Sequence, residues 1–382
     1  MKEQTSDRRL RLGILFNFAP TWMGGVMYIL NLIKTLNRLD DKEKPEIVLF
    51  HTAELSPFLE EIRYPYLEEV LCSFPPVAAG NLRSWLFRKN VFYDKLVKRH
   101  PVDALYPVKN FPVKSRKGVR MVAWYADLQH KYYPEFFSRM ILLHRNIRLH
   151  FMLRNASDLV VSSDAVKDDF KRFFKLRKEL KIHVFHFTSI NDDYPEVDFQ
   201  VLQEKYELPE SYFMVSNQFH RHKNHRVALL ALAELKKQGI LKYLAVTGKF
   251  PRATDSPYLA ELHRIIEENG LQDQIRLLGV IPREDQINLM HWSQAVLQPS
   301  LFEGWSTVIE DAISLQVPVI ASGIPVNREQ LGEHGTYFDP HDAGQLAAIL
   351  GDYPRRDHSL KPYGDYTERI KASLKVFMDI FS

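Results

Sequence analysis

The chain has 382 residues, of which 45% are hydrophobic and 26% charged, an ordinary globular composition too long for a single core and therefore expected to form two domains. A single cysteine, Cys72, excludes an internal disulfide and suits a reducing compartment. The net charge of +4 hides an asymmetry, with 32 Lys+Arg against 20 Asp+Glu in residues 1–190 and 19 against 27 in residues 191–382.

Near the N-terminus, the apolar run LGILF is too short for a signal-peptide core. No stretch approaches the apolar length of a membrane span, so a cytoplasmic protein is expected. LRLGILF (10–16) reads as a strand, NFAPTWMGG as a glycine-containing loop, and Val26, Ile29, Leu30, Ile33 and Leu36 as one face of a helix. Residues 46–50, 104–108, 119–125 and 158–163 read as further buried strands, with helices predicted over 82–99, 134–154 and 164–176. This alternation predicts a parallel sheet covered by helices.

The pattern breaks over 187–211, which is polar and contains two prolines, and a domain junction is expected there. Strands then recur at 211–217, 242–248, 274–280, 295–300 and 317–322, separated by helical stretches, two of which end at Gly239 and Gly270. The expected class is α/β, with two doubly wound Rossmann-like domains in series. Their expected bounds are 1–190 and 191–360, followed by a last helix, 361–382, that crosses back to the first domain. Ligands of such sheets bind beyond the carboxyl ends of the strands, so two sheets facing a central cleft would hold one substrate each.

The stretch SLFEGWSTVIEDA (300–312) lies at such a strand end and leads into a helix starting near Thr307. Ser306 or Thr307 can cap that helix, Gly304 permits a close backbone approach, and the free amides of the first turn suit a phosphate. Glu303 would repel phosphate unless it binds something else, such as hydroxyl groups. Amides for phosphate beside carboxylates for hydroxyls suit a nucleotide sugar. The same pattern also fits a capped surface helix with acids near its positive end.

From about Ser211 to Leu350 the sequence resembles the retaining GT-B glycosyltransferases of family 4 (glycosyl transferases group 1). EGWSTVIEDAISLQVPVIASGIPVNRE carries the resemblance: an acid, Gly, an aromatic (Trp305), a second acid eight positions on, then the PVIAS strand. The resemblance implies that Glu303 contacts the transferred sugar and that Asp311, where the family usually has Glu, binds ribose. Glu310 takes that role if the register shifts by one. The loop after Gly279, with Val280, is implied to contact the base. In SNQFHRHKNH (216–225), Lys223 matches the family's diphosphate-clamping Lys. Gln218 stands where the family has Arg, Arg221 lies near enough to compensate, and Asn217 belongs to the same donor-binding loop. Fixed cations stabilise a departing nucleoside diphosphate, so no metal or other cofactor is expected.

In the first half, Gly24 and Gly25 resemble the family's glycine loop at the donor phosphates. Asp127, Leu128, Pro134 and Glu135 match a family segment whose usual His is Ala126 here. His130 stands one turn along as a replacement, or as a satisfied core histidine. The resemblance therefore implies an enzyme that moves a hexose, such as mannose, from a GDP- or UDP-linked sugar to a saccharide or lipid-linked saccharide. Retention is expected by front-face attack. A nucleotide-sugar 2-epimerase of the same fold, or an inactive nucleotide-sugar-binding homologue, are the other readings. Residues 81–120 hold 11 basic and 2 acidic side chains, which suits an anionic acceptor or an anionic membrane surface on the inner face. An amphipathic helix packed on its own sheet is the alternative for this stretch. No zinc-finger, homeodomain or RNP signature appears, so nucleic acid is not an expected partner.

Overall fold

The computed structural model describes residues 8–109 and 119–382, apart from the Glu61 side chain. Residues 110–118 of the basic stretch therefore lie outside the described residues. The chain divides into unit 1, residues 1–188 with 368–382, and unit 2, residues 189–367.

Unit 1 runs β1 (Arg11–Phe16), α1 (Met23–Leu36), β2 (Glu46–His51), β3 (Leu67–Leu71), α2 (Val77–Phe87), α3 (Asp94–Arg99) and β4 (Ala104–Val108). It continues with β5 (Arg120–Tyr125), α4 (Gln129–Tyr132), α5 (Arg139–Asn155), β6 (Asp158–Val161), α6 (Asp164–Phe173) and β7 (Lys181–Val184). All strand pairs are parallel, in the order β3-β2-β1-β4-β5-β6-β7. The predicted helix over 82–99 is two helices, because Arg88 turns left-handed at φ 50° and closes the first. The predicted helix over 134–154 starts only at Arg139, where the Ser138 hydroxyl accepts from the Ile141 amide at 3.4 Å. Strands β3 and β7 went unpredicted. Both are edge strands whose partial exposure dilutes the apolar signal.

Unit 2 runs α7 (Phe199–Tyr206), β8 (Phe213–Ser216), α8 (His225–Lys237), β9 (Leu244–Thr247), α9 (Pro257–Glu268), β10 (Ile275–Gly279) and α10 (Arg283–Trp292). After these come β11 (Val296–Gln298), α11 (Thr307–Ser314), β12 (Val319–Ser322), α12 (Pro325–Leu331), β13 (Thr336–Phe338) and α13 (Ala343–Asp352). The sheet order is β10-β9-β8-β11-β12-β13, again all parallel. Its strands sort their side chains with period two. Phe213, Val215, Leu244, Val246, Leu297 and Ile320 join α8 and α9 in one core. Met214, Ala245, Val296, Val319 and Ala321 join α11 residues such as Ile309 and Ile313 in the other. That double burial explains why these strands read as continuous apolar runs.

The last helix, α14 (Tyr366–Asp379), belongs to unit 1 from Glu368 onward. Phe377 is fully buried there, with its ring centroid 5.6 Å from that of Tyr106 and 5.1 Å from that of Phe185.

One glycine in unit 2 sets the spacing of two strand-end loops. Gly248 has φ +108°, and a Cβ there would stand 2.8 Å from the Asn217 carbonyl oxygen. Its amide donates to the Gly279 carbonyl at 2.7 Å. Gly248→Ala is expected to cost about 2 kcal/mol and lower the melting temperature by several degrees. An unchanged melting temperature, read by calorimetry, removes this constraint.

Candidate active site

In unit 2 the strand order reverses between β8 and β11, the position where open parallel sheets bind ligands. The loops following these two strands are tied together. Asn224, left-handed at φ 55°, donates through Nδ2 to the carbonyls of Pro299 at 3.1 Å and Pro340 at 2.8 Å. The Leu301 amide donates to the His222 carbonyl at 2.7 Å.

This framework brings Lys223 Nζ to 2.6 Å from Glu303 Oε1, although the residues are 80 positions apart. Glu303 Oε1 also accepts from Gln298 Nε2 at 2.8 Å, and Gln298 Oε1 accepts from Asn217 Nδ2 at 2.9 Å. Gln298 is fully buried in the last position of β11. It was missed in the sequence, where its signal was a polar side chain inside the apolar run AVLQPS. A buried amide needs partners, and the partners here are the two loops.

Burial pushes the Glu303 carboxyl up, but Lys223, the Ser300 hydroxyl and nearby His222 outweigh it and hold the group below the ordinary carboxylate range. Glu303 is therefore ionised at neutral pH. Burial, above all, lowers His222 to about 4 and His225 to about 3, so both rings are neutral there. Gln218 is exposed, with Oε1 2.9 Å from His220 Nε2. Arg221 is exposed on the short turn that ends at Lys223.

The other two acids of the EGWSTVIED stretch point elsewhere. Ser306 caps α11, its Oγ accepting from the Ile309 amide at 3.3 Å. Its own amide, expected to serve an anion, donates instead to Gln330 Oε1 at 3.1 Å. Gln330 Nε2 donates to Glu310 Oε1 at 2.9 Å, and the Tyr366 hydroxyl donates to Glu310 Oε2 at 3.1 Å. Glu310 is thus a fully buried structural acid, which corrects the expectation that it binds ribose after a one-residue shift. Gly304 and Trp305 are also buried, while Thr307 is half-buried at the helix start.

Asp311 accepts from Arg283 Nη2 at 2.6 Å and Asn191 Nδ2 at 3.1 Å. Arg283 is the first residue of α10, just past the loop of Gly279, at φ +70°, and the exposed Val280. The shorter acid is therefore linked to that loop through a guanidinium. Sequence reasoning missed Arg283, because nothing local marks which helix-start cation finds a buried carboxylate.

In unit 1, Gly24 and Gly25 sit in the first turn of α1 rather than in a loop. A Cβ on Gly25 would stand 2.6 Å from the Trp22 ring, so its missing side chain makes room for that indole. Asp127 Oδ1 accepts from the Gln129 amide at 3.0 Å and shapes the start of α4. His130 is buried, and burial followed by Arg145 and Lys131 lowers it to about 4. That corrects its expected role as an accessible replacement for the family His.

The model of the glycosyl transferases group 1 family matches residues 198–360, the part of unit 2 that carries Lys223, Glu303 and Asp311. Unit 2 is a group 1 glycosyl transferase domain. O-antigen chain mannosyltransferase B of Escherichia coli is 25% identical over 336 residues, covering 85% of this chain and 84% of the relative. O-antigen chain mannosyltransferase RfbU of Salmonella typhimurium is 24% identical over 245 residues, covering 64% and 63%. Among solved structures, Anabaena HepE in complex with UDP and glucose superposes with a TM-score of 0.69 at 18% identity, covering 97% of this chain and 99% of that one. The fold is GT-B, and the protein is a nucleotide-sugar-dependent glycosyltransferase.

The lowered carboxyl of Glu303 has a consequence for stability. Its ion pair contributes fully above the unfolded carboxyl value of about 4.3, and the contribution fades as pH falls through the lower folded value. Glu303→Gln is expected to melt below the wild type at neutral pH, with the gap closing on acidification below about pH 4. A gap independent of pH in the melting curves contradicts the ion pair.

Proposed function

We propose that the protein is a retaining transferase of the family 4 type. In this reading it moves a hexose, mannose foremost, from a GDP- or UDP-linked sugar to a saccharide or lipid-linked saccharide. The single observation that supports it most is the Lys223–Glu303 pair at the strand-order reversal of unit 2. The choice of mannose follows the two O-antigen mannosyltransferases among its relatives.

In this reaction the bond from the anomeric carbon to the diphosphate breaks, and negative charge develops on the leaving group. Lys223 meets that charge, with Arg221 close behind on the same turn. Glu303, already ionised and held by Gln298, faces the sugar, orienting its hydroxyls and supporting positive charge at the anomeric carbon. The acceptor hydroxyl attacks from the face the diphosphate leaves and passes its proton to the departing phosphate oxygen, so no enzyme nucleophile is needed. Arg283, held in place by the buried Asp311, reaches the ribose. The acceptor belongs to the basic unit 1.

Lys223→Ala and Glu303→Ala are each expected to lower donor turnover about 100-fold, the scale of losing one preorganised electrostatic group. Near wild-type transfer in both variants, measured by release of nucleoside diphosphate, would sink the assignment. A chelator is expected to leave transfer unchanged, because side-chain cations carry the charge; loss of activity restored by a divalent ion contradicts that. A thermal-shift series with UDP, GDP, ADP and TDP identifies the base, since a ligand of the folded state raises its melting point. Conversion of donor alone to an epimer would favour an epimerase, and nucleotide binding without turnover an inactive homologue.

A further inference from the structure

Helix α2 is inside out. Its buried residues are Gly80, Asn81 and Ser84, the small and polar ones. A Cβ on Gly80 would overlap the Phe92 ring, so the glycine side is the one pressed against the unit. Ser84 holds the same side down, its Oγ accepting from the Val91 amide at 3.1 Å and its carbonyl from the Lys89 amide at 3.2 Å. The large apolar side chains face away. Leu82, Trp85, Leu86 and Phe87 are 64%, 58%, 65% and 61% exposed, and Val77 at the helix start is 41% exposed.

A lone exposed leucine needs no explanation, but a cluster on one short helix does. Three cations lie among these side chains, Arg83, Arg88 and Lys89, all exposed. No Asp or Glu occurs between Glu69 and Asp94. The charge pattern selects the occupant. A second copy docked through this face by two-fold symmetry would set cation against cation, with no acid in the segment to relieve it. An anionic bilayer relieves it directly: cations sit at the headgroups while Trp, Phe and Leu enter the acyl boundary.

We infer that α2 is a membrane-docking helix that seats the enzyme on an anionic lipid surface through Leu82, Trp85, Leu86 and Phe87, with Arg83, Arg88 and Lys89 at the headgroups. The inference rests on the lipid-linked reading of the acceptor given above, since only an acceptor confined to a bilayer makes docking useful. The proposed division of roles brings the acceptor side to the lipid, because α2 belongs to unit 1.

The test uses the full chain and co-sedimentation with vesicles of about one-third phosphatidylglycerol in phosphatidylcholine, against pure phosphatidylcholine. The wild type is expected to bind the anionic vesicles and to leave them in about 1 M salt, where the Debye length is ~3 Å. Trp85 fluorescence is expected to shift to the blue on binding. The triple variant Trp85→Gln, Leu86→Gln, Phe87→Gln is expected to lose at least about tenfold in partitioning. A separate variant, Arg83→Gln, Arg88→Gln, Lys89→Gln, is expected to lose the preference for anionic lipid while keeping its apolar face. Both alter exposed side chains, so the nucleotide-induced thermal shift should persist in each. That shift reads the transferase without lipid, so failure of docking and failure of the proposed function are separable. No vesicle binding by the wild type overturns the proposal. Binding retained by the triple variant also overturns it, moving the contact elsewhere, for example to α5 with its exposed Met140 and Leu143. Conversion of a wild-type dimer to a monomer by the triple variant, without lipid binding, assigns the face to a second copy instead.

Discussion

An ammonium and a carboxylate meeting over the break in a parallel sheet, Lys223 with Glu303, is the contact on which the site depends. Both are mostly withdrawn from water, so neither is tolerable without the other; a buried charge stripped of its partner costs about 3–5 kcal/mol. The surrounding structure is arranged to prevent that. Asn224 and the Leu301 amide lash the two loops together, and Gln298 spans from Asn217 to the carboxylate. The result is a preorganised positive and negative pair at the point where this fold binds ligands. That is a sound arrangement for a reaction in which a diphosphate leaves and an anomeric carbon becomes positive.

Three acids within nine residues end in three environments. Glu303 precedes α11 and joins the β8 loop. Glu310 and Asp311 are adjacent in the helix, about 100° apart around its axis, so they must face different neighbours. Glu310 is bound to Gln330 and Tyr366 and closes the interior. Asp311 is bound to Arg283 and so to the loop at Gly279 and Val280. Gln330 also takes the Ser306 amide, which makes the helix start less a vacant anion site than a bonded corner.

Unit 1 departs from a plain catalytic scaffold in another way. There Gly25 admits Trp22, His130 is buried and neutral, and Asp127 shapes a turn. Its unusual feature lies in α2, which spends glycine, asparagine and serine on the interior and leaves tryptophan, leucine and phenylalanine outside. Folding alone gives no reason for that orientation, whereas a lipid surface does. No helix among the described residues is long and apolar enough to cross a membrane, so docking of this kind is a surface association.

Sequence alone determined the two parallel-sheet units, the order of most of their strands and helices, and the residue types at the strand ends. Those features follow from periodicity, capping and glycine placement, which act over a few residues. The short edge strands β3, β7 and β13 escaped because partial exposure erases the apolar run. Tertiary structure alone decided the partners: that Lys223 takes Glu303, that Gln298 holds it, that Arg283 claims Asp311, and that α2 turns its apolar side outward. Hydrogen bonds and ion pairs between residues tens of positions apart leave no periodic trace in the chain. An apolar stripe on a helix reads the same whether a core or a bilayer covers it. Only packing, here a glycine pressed against Phe92, says which.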